Sequence, residues 1–235
     1  MNLQVDRRFA GPPSMGHGGY VAGLFAAGAD GAVQVTLRRP IPLDTALRLE
    51  DLGEGRRELR QGDDLLAEAE PVVLSLDVPA PPTLSEAQAA EAESPSHRGG
   101  GVHPACFGCG VGRDAGDGLR IAAGPVRAGG ASQVAATWRP GSSFSDADGI
   151  VLPQFVVAAL DCPGAFAFIV DGRPAGLLGR IVFDLHHPAA AGDTHVVTGW
   201  QIGIEGRKHF AGTALFAPDG SLLAAARATW FPFSR

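Results

Sequence analysis

The sequence predicts an α+β fold made twice: an antiparallel sheet curled around one central helix, followed by a second copy of the same unit. Two observations point there. First, the halves repeat each other in order. "EGRR" (54–57) and then "GDDLLAEAEPV" (62–72) stand against "EGRK" (205–208) and then "DGSLLAAARATW" (219–230). Upstream, "RRPIPLDTALRL" (38–49) stands against "HHPAAAGDTHVV" (186–197), each with a Pro and then an Asp-Thr pair. Second, each half changes periodicity once. One apolar, small-residue stretch without alternation is flanked by runs that read as strands.

The helices come from "GGYVAGLFAAGA" (18–29) and "PQFVVAALDCPGAFAFIV" (153–170), apolar on most sides as a helix buried all round must be. Pro153 suits a first-turn position, and Pro163 is expected to kink or end the second helix. The strands are expected at "AVQVTLRR", "ALRLEDL" and "LLAEAEPVVL" in the first half. In the second they are "SQVAATW", "GRIVFDL", "THVVTGWQIGI", "HFAGTALF" and "LLAAARATWF". From "EGR" to the last apolar run the second half is six residues longer, which reads as a longer hairpin. Trp138, Trp200 and Trp230 fall at strand positions and are expected in the core.

Between the halves, residues 79–101 ("PAPPTLSEAQAAEAESPSHRGGG") are rich in Pro, Ala, Glu, Ser and Gly and read as a linker. The expected division is therefore 1–78, linker 79–101, and 102–235.

Composition narrows the function classes. The chain has 235 residues, 45% of them hydrophobic, so a substantial core is available. A net charge of −6 gives no footing for a nucleic-acid binder. No apolar run reaches the roughly 18 residues of a membrane span, and the N-terminus has no signal-peptide core. Three cysteines, an odd number, argue for a reducing compartment and a cytoplasmic location.

Three stretches carry a resemblance to a known superfamily. "GHGGYVAGL" (16–24) is similar to the H-G-G that opens the central helix of phenylacetyl-CoA-type thioesterases. "AALDCPG" (158–164) resembles the helical segment bearing their catalytic acid, and "CFGCGVGRDAGDGLRI" (106–121) resembles the entry to the first strand of many such domains. The whole chain thus resembles a double-hotdog protein of the acyl-CoA thioesterase superfamily, with two tandem hotdog domains. The resemblance implies an acyl-CoA or acyl-carrier thioester as substrate, and no cofactor beyond coenzyme A as part of that substrate. A fused pair can stand alone as a pseudo-dimer or pair again into a homo-oligomer.

Aligned on their apolar pattern, the helices lose complementary parts. His17-Gly18-Gly19-Tyr20 falls opposite Leu152-Pro153-Gln154-Phe155, and Ala26 falls opposite Asp161. In homodimeric relatives, the resemblance implies, each site takes H-G-G from one protomer and the carboxylate from the other. One composite site is therefore expected here. Asp161 would be the general base or the nucleophile. The N–H of Gly19 or Tyr20 would face the carbonyl oxygen, and Gly18 would permit close approach of the thioester. His17 would orient the substrate carbonyl or the acid, and Gln154 would position the water. Arg207 and Lys208, matched by Arg56 and Arg57 in the first half, could meet coenzyme A phosphates. The blander alternatives are that the glycines only allow tight helix packing and that Asp161 pairs with an Arg or caps a turn.

His103-x2-Cys106-x2-Cys109 has metal-ligand spacing, but a fourth ligand would have to come from Cys162 or His187 far along the chain. The expectation is an entry turn with small buried thiols and no metal. His186-His187 before Pro188 reads as a strand end. Two other functions remain on the same fold: hydration or dehydration of an enoyl/3-hydroxyacyl thioester, and non-catalytic binding of an acyl group or CoA. A hydratase-type motif resembling G-D-x-N-P-x-H is absent.

Overall fold

A computed structural model of the chain describes residues 1–12, 14–98, 103–127, 133–174 and 176–233. The first half contributes β1 (Asn2–Gln4), α1 (Gly18–Gly23), β2 (Val33–Leu37), β3 (Ala46–Gly53), β4 (Arg56–Gln61) and β5 (Asp64–Pro71). A further helix, α2 (Leu84–Ala92), precedes β6 (Gly124–Pro125), β7 (Val134–Trp138) and α3 (Pro153–Ile169). The chain closes with β8 (Gly176–Leu185), β9 (His195–Glu205), β10 (Lys208–Phe216) and β11 (Leu222–Pro232).

All these strands join one antiparallel sheet in the order β1-β3-β4-β5-β2-β8-β11-β10-β9-β7-β6. Leaving out β6, the order is the same read inward from either end: the strand before the helix, then the two that follow β2 or β8, then the last, then β2 or β8 itself. The units meet where β2 pairs with β8, with Val33 opposite Phe183 and Val35 opposite Ile181. Pairing two edge strands removes the exposed edge that each unit would present alone.

The internal repeat extends to details the sequence hides. His17 N–H donates to the Phe9 carbonyl (2.8 Å), and Leu152 N–H donates to the Phe144 carbonyl (2.9 Å). His17 and Leu152 are the N-caps of α1 and α3, the residues that the apolar alignment set opposite each other. Short 3-10 turns at Arg7–Phe9 and Ser142–Phe144 precede them. Phe9 stacks on Tyr20 (4.0 Å), Phe144 packs edge-on against Phe155 (5.0 Å), and Tyr20 and Phe155 meet across the centre (5.9 Å).

Several expectations need correction. The first helix spans six residues rather than twelve; from Leu24 onward the N–H groups reach back three residues, and Gly28 is in the left-handed region. α3 runs through Pro163 without ending there. The six extra residues in the second half divide evenly: β10 has nine residues against six in β4, and the following turn is three longer. The segment "CFGCGVGRDAGDGLRI" leads to the first strand of the second half, β6, through residues 119–123, which form no regular element and hold Arg120 in the left-handed region.

The 79–101 segment, described up to residue 98, is not a bare connector. Thr83 and Glu86 form a capping box at the start of α2. Ala87 and Ala90 are buried in a small cluster with Val196, Trp200 and Phe216. Glu91 accepts from the Thr137 N–H (3.1 Å) and hydroxyl (2.6 Å), fixing α2 to β7. Small alanines let a helix of low hydrophobicity pack closely on a sheet, which composition alone does not convey. Trp138, Trp200 and Trp230 are buried in the core as expected, and His186-His187 follows the end of β8.

Candidate functional site

The helices cross because their contact faces carry almost no side chain. A Cβ on Gly19 would stand 2.5 Å from the Asp161 Cβ and 2.8 Å from the Val157 carbonyl oxygen. A Cβ on Gly23 would stand 2.4 Å from the Gln154 Cα. Glycine at these two positions lets backbone meet backbone. That approach brings residues from the two halves to one point.

At that point the Asp161 Oδ2 accepts the Gly19 N–H at 2.6 Å. His17 Nδ1 lies 3.5 Å from the same oxygen and accepts the Tyr20 N–H at 3.2 Å. Both side chains are 2% exposed. Asp161 Oδ1 has no hydrogen-bond partner among the described residues. A buried carboxylate oxygen without a donor is costly in a purely structural role. Burial raises the Asp161 pKa, although His17 and the Gly19 N–H pull against it. Burial pulls His17 down, but the neighbouring Asp161 and Cys106 outweigh it and hold its pKa above the ordinary value.

Two thiols stand against the imidazole. His17 Nε2 is 3.4 Å from Cys162 Sγ, and Cys162 Sγ is 3.8 Å from Cys106 Sγ. Cys109 is buried nearby. The neighbouring thiols Cys109 and Cys162 hold Cys106 well below the usual cysteine range despite its burial, helped by His17. Cys106 in turn pushes Cys162 and Cys109 well above it.

This floor opens into a cavity of about 890 Å³. His17, Gly18, Asp161 and the three cysteines line it, with Phe166, Ile169, Leu178 and Phe210 among its apolar walls. Arg38, Arg39, Arg180 and Lys208 also line it. Arg38 pairs with Glu68, Arg39 with Asp64 (3.1 Å), and Arg180 donates to the Thr36 hydroxyl (3.1 Å). Lys208 makes no ion pair among the described residues.

The structure therefore brings together His17, Gly18, Gly19 and Asp161, and sets Lys208 on the same cavity. It does not bring in the others. Gln154 packs beside Gly23, two turns of α3 from Asp161, and does not line the cavity. Tyr20 is stacked in the aromatic cluster, its hydroxyl pKa pushed up to about 12 by burial. Arg207 is exposed on the β9–β10 turn. Arg57 donates to the carbonyls of Phe25 (2.9 Å) and Ala27 (2.6 Å), a structural role. Both N–H groups expected at the carbonyl oxygen are engaged, Gly19 with Asp161 and Tyr20 with His17. Gly18 N–H, at the first position of α1, has no acceptor among the described residues.

Sequence reasoning missed the arginines. "RR" at 38–39 stands directly after β2, where a strand end reaches a sheet rim, and that placement was the available signal. At the pseudo-equivalent position Leu152 caps α3 without a side-chain hydrogen bond and Ala26 replaces the acid.

No protein-family model and no curated protein sequence matches the chain. Solved structures do. A tesB protein of Mycobacterium avium subspecies paratuberculosis superposes with a TM-score of 0.63 at 19% identity, over 99% of this chain and 92% of that one. A candidate thioesterase from Novosphingobium aromaticivorans gives 0.64 at 13% identity over 99% and 95%. A hot dog fold protein from Alicyclobacillus acidocaldarius gives 0.64 at 10% identity over 100% and 93%. The chain has the double-hotdog fold: two hotdog units sharing one continuous sheet. Among the described residues no helix is long and apolar enough to cross a membrane.

Proposed function

We propose that this protein hydrolyses acyl-CoA or acyl-carrier thioesters at one composite site, with His17 and Gly18 from the first half and Asp161 from the second. The observation that carries this reading is the carboxylate of Asp161. One oxygen is tied down by the Gly19 N–H and the other has no partner among the described residues, beside a largely apolar cavity. That is the arrangement a general base needs, fixed in direction with lone pairs to spare.

In the reaction, Asp161 Oδ1 takes a proton from water as its oxygen bonds to the thioester carbon. The C–S bond then breaks, and the thiolate leaves with the proton returned by Asp161. Gly18, which lines the cavity, offers its N–H as the donor to the carbonyl oxygen, in place of the two engaged N–H groups. His17 acts on Asp161, not on the substrate, through its 3.5 Å approach to Oδ2. The apolar walls receive the acyl group, and Lys208 with the neighbouring arginines offers charge to the phosphates of the carrier.

The test is free-thiol release from short, long and aromatic acyl-CoAs by the intact chain. Release proportional to enzyme supports the reading. Loss of an enoyl-CoA double bond without thiol release would instead establish the hydratase. Saturable CoA binding without turnover would establish a binding module.

A further inference from the structure

The cluster at the cavity floor contains more than thioester hydrolysis requires: two buried thiols and an imidazole drawn from three separate segments. We propose that His17, Cys106 and Cys162 form a binding site for zinc.

The distances fit that ion. With Zn–S near 2.3 Å and Zn–N near 2.0–2.1 Å, tetrahedral ligands stand about 3.8 Å apart for two sulfurs and about 3.6 Å for nitrogen and sulfur. Cys106 Sγ and Cys162 Sγ are 3.8 Å apart, and His17 Nε2 and Cys162 Sγ are 3.4 Å apart. One ligand atom from each of these three residues lies within 4.8 Å of the other two. A Cys–Cys separation of 3.8 Å is far from the 2.05 Å of a disulfide, and all three cysteines of the chain are free. Two thiolates and one imidazole are a soft set suited to zinc.

The local backbone is shaped around the cluster. Gly110 N–H returns to the Cys106 carbonyl at 2.9 Å, closing the Cys-x2-Cys turn. A Cβ on Gly108, within that turn, would stand 2.5 Å from His17 Nε2 and 2.8 Å from Cys162 Sγ. Only glycine lets the loop close over the ligands. Phe107 N–H donates to the Ala10 carbonyl at 2.7 Å and holds the loop against the first half.

Metal ligands are oriented by the groups behind them. With its proton on Nε2, His17 accepts the Tyr20 N–H at Nδ1. Ligation through Nε2 moves that proton to Nδ1, toward Asp161 Oδ2 at 3.5 Å and in place of the hydrogen bond from Tyr20. Three protein ligands leave the fourth position to a water or a small ligand from the cavity that all three residues line. The ion ties the 103–121 loop to the start of α1 and the middle of α3. The sequence expectation of no metal treated His103 as the local nitrogen ligand. His103 Nδ1 instead accepts its own turn's Ala105 N–H at 3.2 Å, and His17 takes the place.

The experiment is metal analysis of the full chain purified under reducing conditions, then titration of the stripped chain with Co²⁺ and with Zn²⁺ against a chromophoric chelator. The expected result is one zinc per chain, with Co²⁺ giving a thiolate charge-transfer band and tetrahedral visible bands. Cys106→Ser and Cys162→Ser should each weaken binding at least tenfold, and His103→Ala should leave it unchanged. The wild-type stoichiometry decides the matter even if a cysteine variant misfolds. A stripped wild-type chain that is folded by circular dichroism yet takes up neither ion would overturn the proposal. So would retention in Cys162→Ser with loss in His103→Ala. None of these readouts depends on hydrolysis.

Discussion

The two oxygens of Asp161 differ in their partners, Oδ2 accepting the Gly19 N–H and Oδ1 having none among the described residues, and substitutions can separate them. Asparagine can still accept the Gly19 N–H, whereas alanine leaves that donor unpaired in an enclosed site. Asp161→Ala should therefore be less stable than Asp161→Asn by about 1–3 kcal/mol, measured as the difference in denaturant midpoints. Lys208 lines the same cavity away from the acid. Lys208→Ala should raise KM for acyl-CoA while leaving kcat within about twofold, the pattern of lost uniform binding; an equal fall in kcat would contradict that role. At this scale the sequence was informative where chemistry is expensive. An acid on an apolar helix and a histidine before two glycines announce themselves. Tyr20 and Gln154 were misplaced because helical periodicity gives a residue's face but not its neighbour. The imidazole–thiol cluster was obscured because His17 and Cys162 are 145 positions apart.

Two short contacts set how the elements pack, and both depend on glycine. Gly23 meets the Gln154 backbone, which cannot yield as a flexible side chain would. Gly23→Ala should push α1 from α3 and destabilise the chain by about 1–3 kcal/mol in chemical denaturation. Gly203 in β9 is the control, since a Cβ there meets nothing within 4 Å and its backbone is not left-handed. Gly203→Ala should be neutral or slightly stabilising. The strands were legible because alternation and turn residues are local signals. α1 was read too long because "LFAAGA" is as apolar as a helix while its backbone closes into tighter turns. α2 was missed because composition outweighed a visible capping box, "TLSE" at 83–86.

The sheet and the aromatic cluster both cross the boundary between halves. All three tryptophans lie in the second half, while far-UV circular dichroism senses both. The two probes should give coincident unfolding curves, as expected of a single cooperative unit; an earlier dichroism transition would mean the first half melts alone. On the proposed reading, the fusion also accounts for a single site: once two units share a chain, the Leu152–Ala26 position is free to lose the residues that His17 and Asp161 represent in the other. The repeat made that asymmetry visible in the sequence, and the fold brings the two surviving parts into contact. The central claim is that the acid of one half works at the site of the other. Its most direct measurement is acyl-CoA hydrolysis by Asp161→Asn beside wild type, with folding checked by circular dichroism. The account predicts a fall in kcat of at least about a hundredfold, the usual scale of a general base. Equal turnover by the two proteins would contradict it and leave Asp161 a structural partner of Gly19.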